Sequence, residues 1–233
     1  MLRPLPLTEH CADPLSRAEH VCLGVSPFNS HFTVDRIAGL ARWAMSNFLR
    51  FHFFVPDGPS AFTLEALGYD SVRAAQKAQR QGNYTRNKII RALEQVYAGD
   101  PRSVILDSSK LENDRSYLSL LSEAHGRFAT DQAFAEQCLG ATNWVLDKRL
   151  PEGERPNRDQ LRCAVRYFLA ELPMFIGTVA VAGVASSVFA YHQRVGFLER
   201  LYRGELSWRP LPGQGFVILE NTVPETASAE RPE

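Results

Sequence analysis

A serine follows a short apolar run: Val21 to Val25 leads straight into Gly24-Val25-Ser26-Pro27-Phe28-Asn29-Ser30. If the run is a strand of a parallel sheet, Ser26 stands at its carboxyl edge, where α/β proteins build their sites, and could act as a nucleophile. By residue type alone, Ser26 and Asn29 are better read as ordinary turn or N-cap residues, so the segment taken singly favours the structural role. Phe28 occupies the place of the second glycine in a G-x-S-x-G elbow, and neither G-x-G-x-x-G nor a phosphate loop is present. Hydrolases and nucleotide binders both lose support.

Two further groups have spacing suited to chemistry. In Arg166-Tyr167-Phe168-Leu169-Ala170-Glu171-Leu172-Pro173, Tyr167 and Glu171 are four apart and share a helix face among apolar neighbours. A buried carboxylate needs a cationic or hydrogen-bonding partner, and no basic residue follows at helical spacing. A substrate ammonium would serve, as would a distant Arg or Lys. The run Ser186-Ser187-Val188-Phe189-Ala190-Tyr191-His192-Gln193 ends in proton-bearing groups, making Tyr191 and His192 acid-base candidates or structural residues.

Between Asp70 and Glu94 lie 23 residues without one acidic side chain, among them Arg73, Lys77, Arg80, Arg86, Lys88 and Arg91. On a helix, Arg73, Lys77, Arg80, Tyr84, Lys88 and Arg91 follow by threes and fours and form one stripe. A solvated face usually mixes signs. This one does not, which favours a polyanion site whose binding should weaken with salt.

These groups can meet only if the segments between them fold as alternating strands and helices. Apolar runs at Val21 to Val25, Phe51 to Val55, Val104 to Leu106, Val184 to Tyr191 and Phe216 to Leu219 read as strands buried on both faces. Helical spacing marks Thr33 to Leu49, Ser60 to Leu67, Asp70 to Tyr97, Asp114 to Arg127, Asp131 to Leu146 and Arg158 to Leu172. The expectation is an α/β, Rossmann-like fold: a mainly parallel sheet flanked by helices. One domain over 20–220 is expected, with a loose Pro- and charge-rich segment over 1–19 and a flexible tail over 221–233.

The 233 residues balance 26 basic against 26 acidic side chains, so only uneven charge placement could attract a polyanion. Cys11, Cys22, Cys138 and Cys163 form no C-x-x-C pair, which suggests neither a disulfide framework nor zinc and fits a reducing cytoplasm. No signal-peptide apolar region opens the chain. Leu172 to Gln193 carries no charge, yet Pro173, Gly177 and Gly183 interrupt it, so it reads as buried loop and strand rather than a membrane span.

Six segments together resemble the cyclodipeptide synthases: G-V-S-P-F-N-S at 24–30, F-H-F-F-V-P-D at 51–57, T-L-E-A-L-G-Y at 63–69, Q-G-N-Y-T-R-N-K at 81–88, R-Y-F-L-A-E-L-P at 166–173 and Y-H-Q at 191–193. The resemblance implies a fold like the catalytic domain of class I tyrosyl- and tryptophanyl-tRNA synthetases. The H-I-G-H and K-M-S-K-S signatures that handle ATP phosphates there are absent, so no cofactor is expected, neither ATP nor magnesium.

By that resemblance Ser26 matches the family nucleophile and Asn29 the asparagine shaping its site. Tyr167 and Glu171 match the pair that grips the α-ammonium of the first aminoacyl group, Tyr191 the proton-transferring tyrosine, and Tyr117 a further site tyrosine. Asn29, Tyr191 and His192 correspond to the Asn-Tyr-His branch, and the basic stripe with Arg86 to the tRNA patch. Cys22, Gly24, Phe54 and Ser108 match the first pocket's lining, where the polar Cys22 and Ser108 weaken the case for a large aliphatic occupant. The expected activity is ping-pong synthesis of a cyclic dipeptide from two aminoacyl-tRNAs through esters on Ser26, by a cytoplasmic monomer that does not engage membranes. An aminoacyl-ester hydrolase and a catalytically idle tRNA-binding module are the alternatives.

Overall fold

The computed structural model describes residues 2–221. Six strands form one sheet: β1 (Leu2–Pro6), β2 (His20–Gly24), β3 (Arg50–Val55), β4 (Ile105–Asp107), β5 (Ser187–Tyr191) and β6 (Gln214–Asn221). Their order is β1-β6-β5-β2-β3-β4, parallel throughout except for the β1–β6 pair. Each inner strand is apolar on both faces because helices cover both. Val21, Leu23, Phe53 and Val55 pack with residues of α2 (Val34–Asn47) and α4 (Ser71–Leu93). Cys22, Phe54, Phe189 and Phe216 pack with α6 (Arg115–Thr130), α7 (Gln132–Asp147), α8 (Arg158–Ala182) and α9 (Gly196–Tyr202). The mainly parallel α/β expectation holds.

Side-chain caps set where the longer helices begin. Asp70 accepts from the Arg73 amide, Asp114 from Tyr117 and Asp131 from Phe134, while Asn157 and Gln160 close a reciprocal box at the start of α8.

Two expectations are corrected. Residues 2–6 are not loose: β1 pairs antiparallel with β6, Leu2 opposite Asn221 and Pro6 opposite Val217. Prolines fit there because β1 is an edge strand, one side of which needs no amide donor. The expected tail starts one residue too early, since Asn221 ends β6; 222–233 lie outside the described residues. Second, α8 does not end at Leu172 but carries Pro173 and runs to Ala182, with a non-helical break at Gly177 (φ −148°, ψ 28°). The break is partnered: the Leu211 amide donates to the Ile176 carbonyl at 2.8 Å, and the Val179 amide to Gln214 Oε1 at 3.1 Å. By length and composition α8 could cross a membrane, but 72% of its most apolar stretch is buried, making it the core helix.

From β2 the chain moves to β3 and β4 on one side, then returns through α8 to β5 on the other. The carboxyl ends of β2 and β5 therefore flank a topological switch point, where connections diverge and leave a crevice.

Candidate active site

Ser26 and Tyr191 face each other across that crevice. The Val25 amide donates to the Phe54 carbonyl at 2.9 Å, holding the chain to the sheet one residue before Ser26. The Ser26 hydroxyl then lies 2.9 Å from the Tyr191 hydroxyl, either of which can donate. Phe28 turns the following loop with φ +62°, a left-handed conformation uncommon away from glycine. Asn29 Oδ1 accepts from the His31 amide at 2.9 Å and steadies the same loop.

Beneath this edge opens a cavity of 320 Å³. Ser26, Asn29, Gly24, Phe54, Tyr167, Glu171 and Tyr191 all line it, so residues scattered over 168 positions share one wall. Gly24 admits no larger residue there, because a Cβ would meet the Phe189 ring at 2.8 Å and Tyr191 at 3.1 Å.

Tyr167 donates its hydroxyl hydrogen to Glu171 Oε1 at 3.1 Å, one helical turn away on α8. Among the described residues Glu171 makes no ion pair, so the distant Arg or Lys is excluded there. Burial pushes the Glu171 carboxyl up to about 8, the Tyr167 hydrogen bond opposing it. Burial also lifts Tyr191 to about 12 and Tyr167 well above the usual phenol range, so both remain protonated near neutrality. The wall therefore offers a hydroxyl pair and a carboxyl whose proton affinity suits an amine.

Four expected lining residues stand elsewhere. Cys22 is fully buried under the sheet face, its thiol pushed up by burial. Tyr117 lies behind α8 and donates to the Ala170 carbonyl at 2.9 Å; it holds the turn that carries Glu171 rather than touching the cavity. Ser108 begins α5 (Ser108–Leu111), accepting from the Gly58 amide at 2.9 Å, and with Tyr117 lines a separate hollow. His192 points away from the crevice, stacked 4.1 Å from His31, with Asn29 Nδ2 3.5 Å from its Nε2. Burial, then the nearby His31 and Arg36, lowers it to about 4, so it is neutral near pH 7.

The basic helix divides. Arg73, Arg80 and Arg91 are exposed on α4, and Arg73, Lys77 and Arg80 border a shallow hollow with Tyr69. Lys77 Nζ donates to the Tyr69 hydroxyl at 2.6 Å, and Lys88 Nζ to the Phe32 carbonyl at 3.0 Å. Arg86 corrects the expectation outright: its Nη1 pairs with Asp57 Oδ2 and, at 3.2 Å, with Asp107 Oδ2. It faces inward because its position falls off the stripe, toward the ends of β3 and β4.

Several cavity residues escaped the sequence reading. Trp144, Lys148 and Arg149 close one side, with Lys148 Nζ 3.5 Å from the Trp144 ring centroid. Nothing in their spacing marks them. Phe175 had a signal: it continues the Tyr167, Glu171 face by one turn, hidden only by ending the helix at Leu172. Among the described residues no group of three or more His, Cys, Asp or Glu could hold a metal ion.

A sequence-family model described as cyclodipeptide synthase matches residues 2–221. A cyclo(L-leucyl-L-leucyl) synthase of Bacillus subtilis is 32% identical over 218 residues, 92% of this chain and 87% of that protein. A cyclo(L-tyrosyl-L-tyrosyl) synthase of Mycobacterium tuberculosis is 28% identical, over 97% of this chain and 77% of that protein. The crystal structure of a cyclodipeptide synthase from Bacillus thermoamylovorans superposes with a TM-score of 0.87 at 27% identity, covering 95% of this chain and 97% of that one. A tyrosyl-tRNA synthetase of Archaeoglobus fulgidus shares the fold, with a TM-score of 0.53 at 12% identity over 91% of this chain and 59% of that one.

Proposed function

Because this chain belongs to the cyclodipeptide synthase family, we propose that it joins two aminoacyl groups delivered on tRNA, holding the intermediates as esters on Ser26. Family membership makes it an enzyme of cyclodipeptide formation. The serine ester, the tRNA carrier, independence of ATP, membership of the Asn-Tyr-His branch and action as a cytoplasmic monomer are our reading. The observation that carries it is the Ser26–Tyr191 hydroxyl pair at 2.9 Å on a cavity whose wall also holds the Tyr167–Glu171 pair.

In the first step Ser26 Oγ attacks the ester carbonyl carbon of the first aminoacyl-tRNA. The new Oγ–C bond forms, the bond to the terminal ribose oxygen breaks, and the serine proton reaches that oxygen through the Tyr191 hydroxyl. Tyr191 is protonated, so it passes protons on rather than acting as a phenolate base. The ester arrives already activated, which is why no ATP is required.

Glu171 holds the α-ammonium of the bound group. A carboxyl near 8 matches an α-amino group near 8, so it can take the ammonium proton when the amine becomes a nucleophile. That amine then attacks the ester carbonyl of the second aminoacyl-tRNA, leaving the dipeptide on Ser26 and the released proton on the second ribose oxygen. The free amine of the dipeptide finally attacks the Ser26 ester, closing the ring and restoring the serine hydroxyl.

Incubation with charged tRNA and mass analysis of both protein and medium tests the reading. The expected result is an aminoacyl mass on the Ser26 peptide and a diketopiperazine in solution. Free amino acid alone would mean a hydrolase, and tRNA binding without either product a binding module.

A further inference from the structure

Three enclosed polar atoms have no hydrogen-bond partner among the described residues: His31 Nε2, Arg36 Nε and His192 Nδ1. They come from three elements, the loop after β2, the first turn of α2 and the end of β5. All three residues line one small cavity of 10 Å³. Gly24 and Tyr191 border it too, but its apolar wall of Leu23, Phe32, Leu40 and Leu219 belongs to the α2 face of the sheet, opposite the larger cavity. Enclosed donors left without an acceptor forfeit their hydration, so three at one place call for an occupant.

The hydrogen bonds around the cavity fix what that occupant must do. Asn29 Oδ1 is taken by the His31 amide at 2.9 Å, so Asn29 turns its Nδ2 to His192 and donates to Nε2 at 3.5 Å. With Nε2 accepting, the proton of the neutral His192 ring stands on Nδ1, facing the cavity. Arg36 Nε is a donor in every state. His31 Nδ1 is not among the enclosed atoms, so water can serve it and leave the ring proton to Nε2. Three N–H groups therefore converge on one point.

Charge and size narrow the choice. Arg36 forms no ion pair among the described residues, and its Nη1 donates to the neutral side-chain oxygen of Asn221. The cavity has room for one single-atom occupant and none for phosphate or sulfate. A water accepting from Arg36 and His192 must place two hydrogens of its own. His31 Nε2 could take one, but the other lining side chains are apolar except Tyr191, whose hydroxyl is paired with Ser26. An anion has no hydrogens to place. A halide needs slightly more room than a water, and the half-buried Arg36 head can give it.

We propose that this cavity is a halide site, in which one chloride accepts from Arg36 Nε, His192 Nδ1 and His31 Nε2. The ion ties the serine loop, α2 and the end of β5 together behind the Ser26–Tyr191 pair. It also keeps the His192 proton on Nδ1, so that Nε2 stays free for Asn29. The site does not depend on the serine-ester reading, and its test uses no tRNA.

Thermal melts of the full chain, with sodium gluconate exchanged stepwise for sodium chloride at constant ionic strength, give the first measurement. The melting temperature should rise by roughly 3–5 °C on reaching about 0.3 M chloride. Arg36→Gln should abolish most of that rise. Crystals of the wild type soaked in sodium bromide give the second, and an anomalous peak within hydrogen-bond reach of Arg36 Nε and His192 Nδ1 is expected. No peak there, or a chloride response of equal size in Arg36→Gln, overturns the halide site and leaves an ordered water in its place. Should Arg36→Gln fail to fold, the bromide map alone decides.

Discussion

The hydroxyls of Ser26 and Tyr191 sit 2.9 Å apart although 165 residues separate them in the chain. The pair exists because β2 and β5 are neighbours at the point where the sheet's connections diverge. Tyr191→Phe keeps the ring that packs beside Gly24 and removes only the hydroxyl. Product formation should fall by roughly 10²-fold or more while the melting temperature moves by only a few degrees. An undiminished rate would take Tyr191 out of the proton path.

Glu171 carries a stability signature of its own. Its carboxyl is raised from 4.5 to about 8, so the folded protein holds a proton that the unfolded chain releases. Native stability therefore declines as pH rises from about 4.5 to about 8 and levels off above. Glu171→Gln removes that decline. The variant should exceed the wild type by roughly 1–3 kcal/mol at pH 8, discounted for water in the cavity, and match it near pH 4. It should also lose activity, since amide nitrogen cannot hold an ammonium. Urea midpoints at the two pH values provide the measurement, and a pH-independent difference would contradict the buried carboxyl.

A second titrating group lies at the opposite end of the sheet and has the reverse sign. His20 Nδ1 is 2.7 Å from the Ser187 hydroxyl and its Nε2 2.9 Å from His52 Nδ1. Burial lowers His20 to about 3, with the nearby His52 and Arg50 adding to it, and lowers His52 to about 4, with Lys110 and Arg50 adding there. Both must be neutral in the fold. The stability they contribute is complete above pH 6.5 and is lost as pH falls toward 4. His52→Gln should flatten that acid-side loss in thermal melts between pH 7 and pH 4.5, and an unchanged slope would refute the coupling.

The strand–helix rhythm was legible because every inner strand is apolar on both faces, and the basic helix because a run free of acid stands out in a neutral chain. Ser26 and Tyr191 could be singled out because each lies at the carboxyl end of a strand, and Glu171 because it stands one helical turn from Tyr167 among apolar neighbours. The misreadings share a cause: local composition was taken for geometry. Pro4 and Pro6 looked like loop residues, yet an edge strand spares their missing amides. Pro173 looked like a helix stop, yet tertiary partners at Gln214 and Leu211 carry α8 past it. Ser108, Tyr117 and His192 lie next to the right elements but turn to other partners, and only the three-dimensional arrangement shows which way a side chain faces.

Helix α4 allows two of its arginines to be told apart. Arg80 and Arg91 are exposed and carry no ion pair among the described residues, whereas Arg86 bridges Asp57 and Asp107. Gly82 lies one turn before Arg86, and a Cβ there would collide with Asp57, so the helix is seated on that carboxylate by a missing side chain as well as by a charge. Arg80→Glu with Arg91→Glu should weaken tRNA binding and lower the salt slope by about the two lost phosphate contacts, with the melting temperature unchanged. Arg86→Gln should leave the slope alone and cost about 3–5 kcal/mol of stability, because two partly buried carboxylates lose their cation. Arg86→Lys should recover part of that loss, since a single ammonium reaches both carboxylates less well than a guanidinium. A salt slope that falls with Arg86→Gln at unchanged stability would return Arg86 to the polyanion face and remove it from the fold's interior.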